Sequence, residues 1–156
     1  MAKQRDRIKM SPDEIVAFFG EVKSLNVATL GKDGAPHLTT LWFCLDGDDF
    51  LFETYGASQK VVNLRRDPRI AVLSEAGEDY NELRGVSING VAEIVDADPE
   101  LTQLMTKIAR KMHPGGSAEA IAQNVAMMTR KRVVVRVKPE KVISWDHRKI
   151  AAAPAA

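Results

Sequence analysis

The sequence predicts a mainly β fold with peripheral helices (α+β), built as a small antiparallel barrel. Alternating or β-branched runs such as "LNVATL" and "FLFETY" are separated by the turn segments "GKDG" and "DGDD". Segments with helical spacing stand before, between and after these runs, so about six strands with two or three helices are expected. With 156 residues, of which 45% are hydrophobic, the chain suffices for one domain over residues 1–150. The last residues, 151–156, are expected to form a disordered tail.

Composition excludes several classes of function. Lys and Arg number 22 against 21 Asp and Glu, so a broad basic face for nucleic acid is not expected. There is no run of about 18 apolar residues and no apolar stretch after "MAKQRDRIKM", which predicts a cytoplasmic protein without a membrane span. Cys44 has no partner for a disulfide, and His37, His113 and His147 are too scattered for a metal site.

The first half of the chain begins with a helix and continues in strands. In "SPDEIVAFFGEV", Ser11 is the expected N-cap, Pro12 the first helical residue and Glu14 the partner that closes a capping box. The runs "LNVATL", "PHLTTLWFCL" and "FLFETY" then predict three consecutive strands of an antiparallel meander.

The second half alternates in the same way. A helix is expected from Ser58 to about Arg66, ended by Pro68, followed by the strand "RIAVLSE". "RGVSINGVAEIVD" predicts a strand with a possible bulge at Gly90. Two further helices are expected from about Asp98 and Ser117, separated by "HPGG", and "KRVVVRVKPEKVISWD" predicts one or two closing strands.

The stretch "SQKVVNLRRDPR" predicts an anion site. Lys60 lies in the first turn of the predicted helix, where the helix dipole disfavours a cation. The hydroxyl of Ser58 and the first free amides of that helix would face an anion together with Lys60. Arg65 and Arg66 lie in the last turn, where cations are favourable without any ligand, and Arg69 begins a strand, so a structural role for these three remains open.

The neighbouring strands suit an aromatic ring. Thr39, Thr40 and Thr54 stand among apolar residues, a mixture that fits the polar edge and flat face of a ring system, although threonine is also an ordinary strand residue. Trp42 and Trp145 would either stack on the ring or pack in the core or at a subunit contact. Together with the anion site, these residues suggest a nucleotide-like or flavin-like ligand. No catalytic triad or paired-carboxylate motif is evident, so difficult chemistry would come from a cofactor.

The order of "GKDGAPHLTTLWFCLDGDDFLFET", "SQKVVNLRRDPRIAVL" and "LRGVSINGVAEIV" resembles the pyridoxamine-phosphate-oxidase-like flavin- and deazaflavin-binding split barrels. The resemblance covers roughly residues 12–148. The Lys-x-x-Asn-Leu-Arg-Arg-Asp-Pro-Arg segment looks most like the actinobacterial branch that uses the deazaflavin coenzyme F-420. It implies an FMN-binding split β-barrel and a homodimer with two cofactor sites at the subunit interface.

The resemblance also implies a set of cofactor-binding residues. On the two strands these are His37, Leu38, Thr39, Thr40 and Thr54. From the following helix they are Ser58, Gln59 and Lys60, which would hold the phosphate, together with Asn63 and Arg66. Trp145 and Arg148 resemble elements that reach the site from the other subunit. No catalytic side chain is assigned.

The implied activity is a coenzyme F-420-dependent reductase that transfers a hydride to a small organic acceptor. An FMN-dependent reductase or oxidase on the same fold is one alternative, and a non-catalytic protein that binds a cofactor or a haem-like ligand is another. Gln59 stands where the oxidase pattern has a basic residue, and the pyridoxamine-phosphate-binding ending is not recognisable, which argues against vitamin B6 oxidation. An unsaturated ketone or lactone, a quinone or a tetrapyrrole each remains open as acceptor.

Overall fold

One antiparallel sheet of seven strands curls into a half-barrel in the computed structural model, which describes residues 4–151 and only the backbone of Ala151. The strands are β1 (Ser24–Leu30), β2 (Pro36–Trp42), β3 (Cys44–Asp46), β4 (Asp49–Tyr55), β5 (Arg69–Ala76), β6 (Arg84–Val95) and β7 (Arg132–Asp146). Their order across the sheet is β2-β1-β5-β6-β7-β4-β3. The mainly β class with peripheral helices is confirmed. Of the predicted tail, residues 152–156 lie outside the described part of the chain.

Six α-helices surround the sheet in the described residues, more than the two or three that were expected. They are α1 (Gln4–Ile8), α2 (Pro12–Glu21), α3 (Gln59–Arg66), α4 (Glu100–Met112), α5 (Ala118–Met128) and α6 (Arg148–Ala151). The additional helices α1 and α6 are short and contact one another. No helix within residues 4–151 is both long and apolar enough to cross a membrane.

The predicted three-strand meander is wrong. The hairpin of β1 and β2 and the hairpin of β3 and β4 lie at opposite ends of the strand order, and β2 does not pair with β3. "PHLTTLWFCL" is interrupted at Phe43, which is fully buried. The Phe43 ring packs against the rings of Phe19 and Phe50 at centroid distances of 5.7 and 5.9 Å. Burial of this side chain therefore turns the chain from one end of the sheet toward the other.

Helix α2 is anchored by its predicted capping box and by its apolar face. The backbone amide of Ser11 donates to the Glu14 carboxylate at 2.6 Å, and the Glu14 amide donates to the Ser11 hydroxyl at 3.3 Å. Phe18 and Phe19 are buried in the half-barrel with the inward side chains of β1, β5 and β6. A second cluster lies beneath α4 and α5, whose helical spacing was predicted.

The strands β6 and β7 form the longest pairing of the sheet. The register shifts between Asn89 and Gly90, which confirms the bulge that was expected there. A Cβ atom at Gly90 would stand 2.3 Å from the carbonyl oxygen of Lys138, so the close approach requires glycine. At the other end of β6, Gly85 lies against the indole ring of Trp145. The closing segment is one 15-residue strand, β7.

We predict that Gly85→Ala destabilises the fold by about 1 to 3 kcal/mol, because the new methyl group would stand 2.2 Å from the Trp145 ring. Gly20→Ala is the matched control. Gly20 lies in α2 with no atom within 4 Å of the added carbon, so this change should stabilise by about 0.5 to 1 kcal/mol. Urea denaturation measures both changes in the free energy of unfolding, provided that the dependence on urea concentration has the same slope in each protein. An unchanged midpoint for Gly85→Ala would show that the indole moves freely.

Candidate functional site

The candidate site lies where the curled sheet does not close. β3 pairs with β4 only through Asp49, Phe50 and Leu51, so the rest of that β4 edge is free, and β2 pairs on only one side, with β1. A cavity of about 490 Å³ opens beside these two edges. Its lining comes from β2, β4, the starts of β1 and β7, and two helices: Ser24, Thr40, Leu41, Trp42, Glu53, Thr54, Tyr55, Lys60, Ile108, Met112 and Arg132.

Lys60 is the central charge of this cavity. Its side chain is only 8% exposed, and its ammonium donates to the Thr54 hydroxyl at 3.1 Å. Within the part of the chain that the structure describes, no carboxylate lies within ion-pair distance of this ammonium. Burial lowers the pKa of Lys60 below its ordinary value, and the negative charge of Glu53 opposes that shift. The ammonium thus keeps unused donors in a partly dry site.

The start of α3 adds further donors. Ser58 is the N-cap, as predicted, but its hydroxyl makes no capping bond and lies 3.5 Å from the hydroxyl of Thr54. By contrast, Ser11 and Ser117 cap α2 and α5 with their own side chains. The first amides of α3 are therefore not satisfied by its capping residue. Ser58, Thr54 and Lys60 together form an arrangement that suits an anion.

The four predicted cofactor residues of β2 divide between its two faces. His37 and Thr39 stand opposite the buried Thr29 and Val27, whereas Leu38 and Thr40 point to the other face. Leu38 is 67% exposed, and the Thr40 hydroxyl donates to the Asn26 side chain at 2.8 Å. Side chains from both faces cannot contact one side of a flat ring. The Nδ1 atom of His37 and the hydroxyl of Thr39 are buried and have no hydrogen-bond partner among residues 4–151.

Three predicted site residues of α3 are used within the protein. Asn63 is fully buried, donates to the Thr29 hydroxyl at 3.1 Å and accepts from the Gln59 amide at 2.9 Å. The Arg66 guanidinium donates to the carbonyl oxygen of Leu30. These bonds hold α3 against β1 and keep the start of the helix in place. Contacts of Gln59, Asn63 and Arg66 with a cofactor stay predictions.

The other two arginines of the segment have carboxylate partners. Arg65 pairs with Asp96 at 2.9 Å, and Arg69 pairs with Asp67 at 2.6 Å. The bonds from Arg69 lower the pKa of Asp67 to about 2. Of the four cations in "SQKVVNLRRDPR", Lys60 is therefore the buried one without a carboxylate or carbonyl partner in the described chain.

Trp145 and Arg148 lie at the opposite end of β7 from the cavity. Arg132, at the start of the strand, pairs with Tyr55, and Trp145 pairs with Gly85. Thirteen residues of strand correspond to roughly 40 Å of length along the strand. Arg148 forms an ion pair with Asp146 at 2.7 Å. Among the described residues neither of them lines the cavity that contains Lys60, so their contact with a cofactor stays a prediction that depends on a second copy of the chain.

Sequence reasoning missed an ion pair in the same cavity. Arg132 contacts the Glu53 carboxylate at 2.6 Å, and its guanidinium lies 4.2 Å from the centre of the Tyr55 ring. Ile108 and Met112 of α4 line the wall of the same cavity. Because Glu53 and Arg132 are 79 positions apart, no local pattern indicates their contact. The pairing of β4 with β7 creates it.

Similarity to known proteins extends over most of the chain. The family model described as pyridoxamine 5'-phosphate oxidase matches residues 11–146. A curated pyridoxine/pyridoxamine 5'-phosphate oxidase from Kineococcus radiotolerans is 35% identical over 83 residues, which cover 53% of this chain and 36% of that protein. The matched part thus spans about a third of the curated relative's length.

Solved structures support the fold. A conserved hypothetical protein from Mycobacterium tuberculosis is 40% identical, with a TM-score of 0.89 over 99% of this chain and 96% of that chain. A protein described as an F-420 reductase is 21% identical, with a TM-score of 0.59 over 91% and 98% of the two chains. At that identity the likeness concerns the fold alone. The expected split-barrel fold is confirmed by the family match and the first of these structures.

We predict that the capping serines differ in their contribution to stability. Ser117→Ala should lower the free energy of unfolding by about 1 kcal/mol, because its hydroxyl accepts from the Ala120 amide. Ser58→Ala should cost less than about 0.5 kcal/mol, because no capping bond is lost. Urea denaturation of both variants measures the difference. If both variants lose the same free energy of unfolding, Ser58 does cap α3, and the first amides of that helix are not free.

Proposed function

Because the chain belongs to the pyridoxamine 5'-phosphate oxidase family, we propose that it is a flavin-type oxidoreductase that uses the deazaflavin coenzyme F-420 to reduce a small organic acceptor. The observation that carries this proposal is the buried ammonium of Lys60, which has one hydroxyl partner and stands at a helix start without a side-chain cap. A phosphate bound there would use donors that the protein leaves free.

The cavity beside Lys60 fits the rest of such a cofactor. Trp42, Ile108 and Met112 provide an apolar wall, and the free edges of β2 and β4 offer backbone groups to a polar ring edge. The buried Thr39 hydroxyl and the Nδ1 atom of His37 have no partner inside the described chain, but they do not line this cavity and lie on the face of β2 opposite to Thr40, so their contact with a cofactor stays a prediction.

The protein would contribute binding and orientation to the reaction. A reduced deazaflavin supplies a hydride when it is bound. Lys60 and the first amides of α3 would hold the phosphate, and the apolar wall from α4 would keep water from the ring.

The charge of the site is compatible with the phosphate of either cofactor, and the preference for the deazaflavin rests on the segment from Lys60 to Arg69, which resembles the branch that uses coenzyme F-420. The site offers one buried cation without a carboxylate partner, because Arg132 is already paired with Glu53 and Gln59 is neutral. An FMN-dependent enzyme is the second candidate, since the same ammonium would accept either phosphate.

A homodimer in the cytoplasm completes the proposal. Trp145 and Arg148 lie far along β7 from Lys60 within one protomer. Their predicted role therefore requires that the partner's copy of this region reach the cavity. The apolar side chains exposed on β2, Leu38 and Trp42, are consistent with such a contact.

We predict that Lys60→Met weakens binding of coenzyme F-420 by about tenfold or more, because a charge-assisted phosphate contact is lost. Fluorescence titration of wild type and variant with coenzyme F-420 and, in parallel, with FMN at one fixed salt concentration measures this. Since the charged ammonium binds the anion, wild-type affinity should fall as pH rises through the lowered pKa of Lys60.

Arg65→Met is the matched control for this experiment. It removes one positive charge from the same helix but from its last turn, where Arg65 pairs with Asp96. Its affinity should stay within about twofold of wild type. Tighter binding of FMN would move the assignment to the second candidate, and binding without turnover of any acceptor would favour a binding protein. If Lys60→Met binds both cofactors as tightly as the wild type does, the assignment of Lys60 to an anion site is wrong.

The same variant should be more stable than the wild type at neutral pH. A buried cation without a carboxylate partner opposes folding, so Lys60→Met is expected to raise the free energy of unfolding by about 1 kcal/mol. The wild type should recover this difference as pH rises through the lowered pKa of Lys60 toward the ordinary lysine pKa of about 10.4. Urea denaturation at several pH values measures the effect, and a stability loss in Lys60→Met would contradict it.

A further inference from the structure

A carboxylate faces the same cavity as the anion-binding lysine. Glu53 and Lys60 both line this space, together with Arg132. Glu53 is partly buried, with 21% of its side chain exposed, so its charge is only partly screened by water. Lys60 is the buried cation near it that lacks a carboxylate partner in the described chain. A direct pair between these two groups would occupy the ammonium and place a negative charge where the anion should bind.

Arg132 holds Glu53 on the face of β4 that Glu53 shares with Tyr55, whereas Lys60 contacts Thr54 on the other face of the strand. Its guanidinium donates to the Glu53 carboxylate at 2.6 Å, while its carbon skeleton belongs to the strand that pairs with β4. The ring of Tyr55, directly opposite Arg132 in that pairing, lies 4.2 Å from the guanidinium carbon. An arginine fixed by a strand, a ring and a carboxylate has little freedom to leave this position.

We infer that Arg132 is a positioning residue of the anion site: by holding Glu53, it keeps Lys60 available to the bound anion. The inference rests on the proposed function and adds a requirement to it. Binding of the anion requires a basic residue at position 132, although that residue is paired with Glu53 and does not contact the anion. Without Arg132, Glu53 turns to Lys60 and competes with the phosphate for the ammonium.

Four proteins test this assignment: the wild type, Arg132→Gln, Glu53→Gln and the double variant. Each is titrated with coenzyme F-420 and with FMN by fluorescence. Arg132→Gln should bind about tenfold more weakly or worse, because a charge-assisted contact of Lys60 is diverted to Glu53. Glu53→Gln should bind at least as tightly as wild type. The double variant should regain most of the lost affinity, since the competing carboxylate is gone.

A second readout needs no cofactor. Lysine labelled with carbon-13 at Cε reports the titration of Lys60, whose signal is identified by its disappearance in Lys60→Met. The pKa of Lys60 should be higher in Arg132→Gln than in wild type, because Glu53 then pairs with the ammonium. In the double variant it should return to the wild-type value or below. The double variant separates this pairing from the loss of the Arg132 charge itself, because a pKa of Lys60 that stays raised there comes from the removed cation and not from Glu53.

Other outcomes overturn the assignment. If the double variant binds as weakly as Arg132→Gln, Arg132 contacts the anion itself. If Glu53→Gln alone loses affinity, Glu53 contributes to binding rather than competing with it. If the wild type binds neither cofactor, the proposed function fails. The carbon-13 titration, repeated with inorganic phosphate as the probe, still decides whether Arg132 holds Glu53 away from Lys60.

Discussion

The half-barrel stays open between β2 and β4, and the candidate site depends on this gap. A sheet that curls must either pair its terminal strands or cover their free backbone groups. Here Phe43 interrupts the strand between the two hairpins and is buried against the phenylalanines of α2 and β4. Its burial separates the hairpins to the two ends of the strand order. The edges that remain free border the cavity that contains Lys60.

The buried positive charge of Lys60 beside this gap lowers the stability of the fold. Lys60 stands at the positive end of a helix, is almost fully buried and has a single hydroxyl partner. The neighbouring Glu53 would relieve that cost, but Arg132 engages it instead. A protein selected for stability alone would pair the lysine or replace it. The arrangement agrees with the proposed anion site, where a bound phosphate would offset the cost of the buried charge.

Local patterns predicted most of the elements. The capping box at Ser11, the helix that begins after Ser58 and the bulge at Gly90 each follow from residues that are close in the sequence, because their hydrogen bonds and backbone conformations are local. The meander failed because strand order depends on contacts between distant residues. The four consecutive residues of β2 were expected at the ligand because of the family resemblance, which matches positions and not faces, whereas side chains alternate between the two faces of a strand.

The sequence by itself determined the mainly β class and the positions of most helices and strands, and it indicated the segment of the proposed anion site. The reason is that hydrophobic period, caps and turns act over a few residues. Only the tertiary structure decided which cation of that segment lacks a carboxylate, because the partners of Arg65 and Arg66 come from other elements. It also decided that Glu53 meets Arg132, since the pairing of β4 and β7 joins residues 79 positions apart.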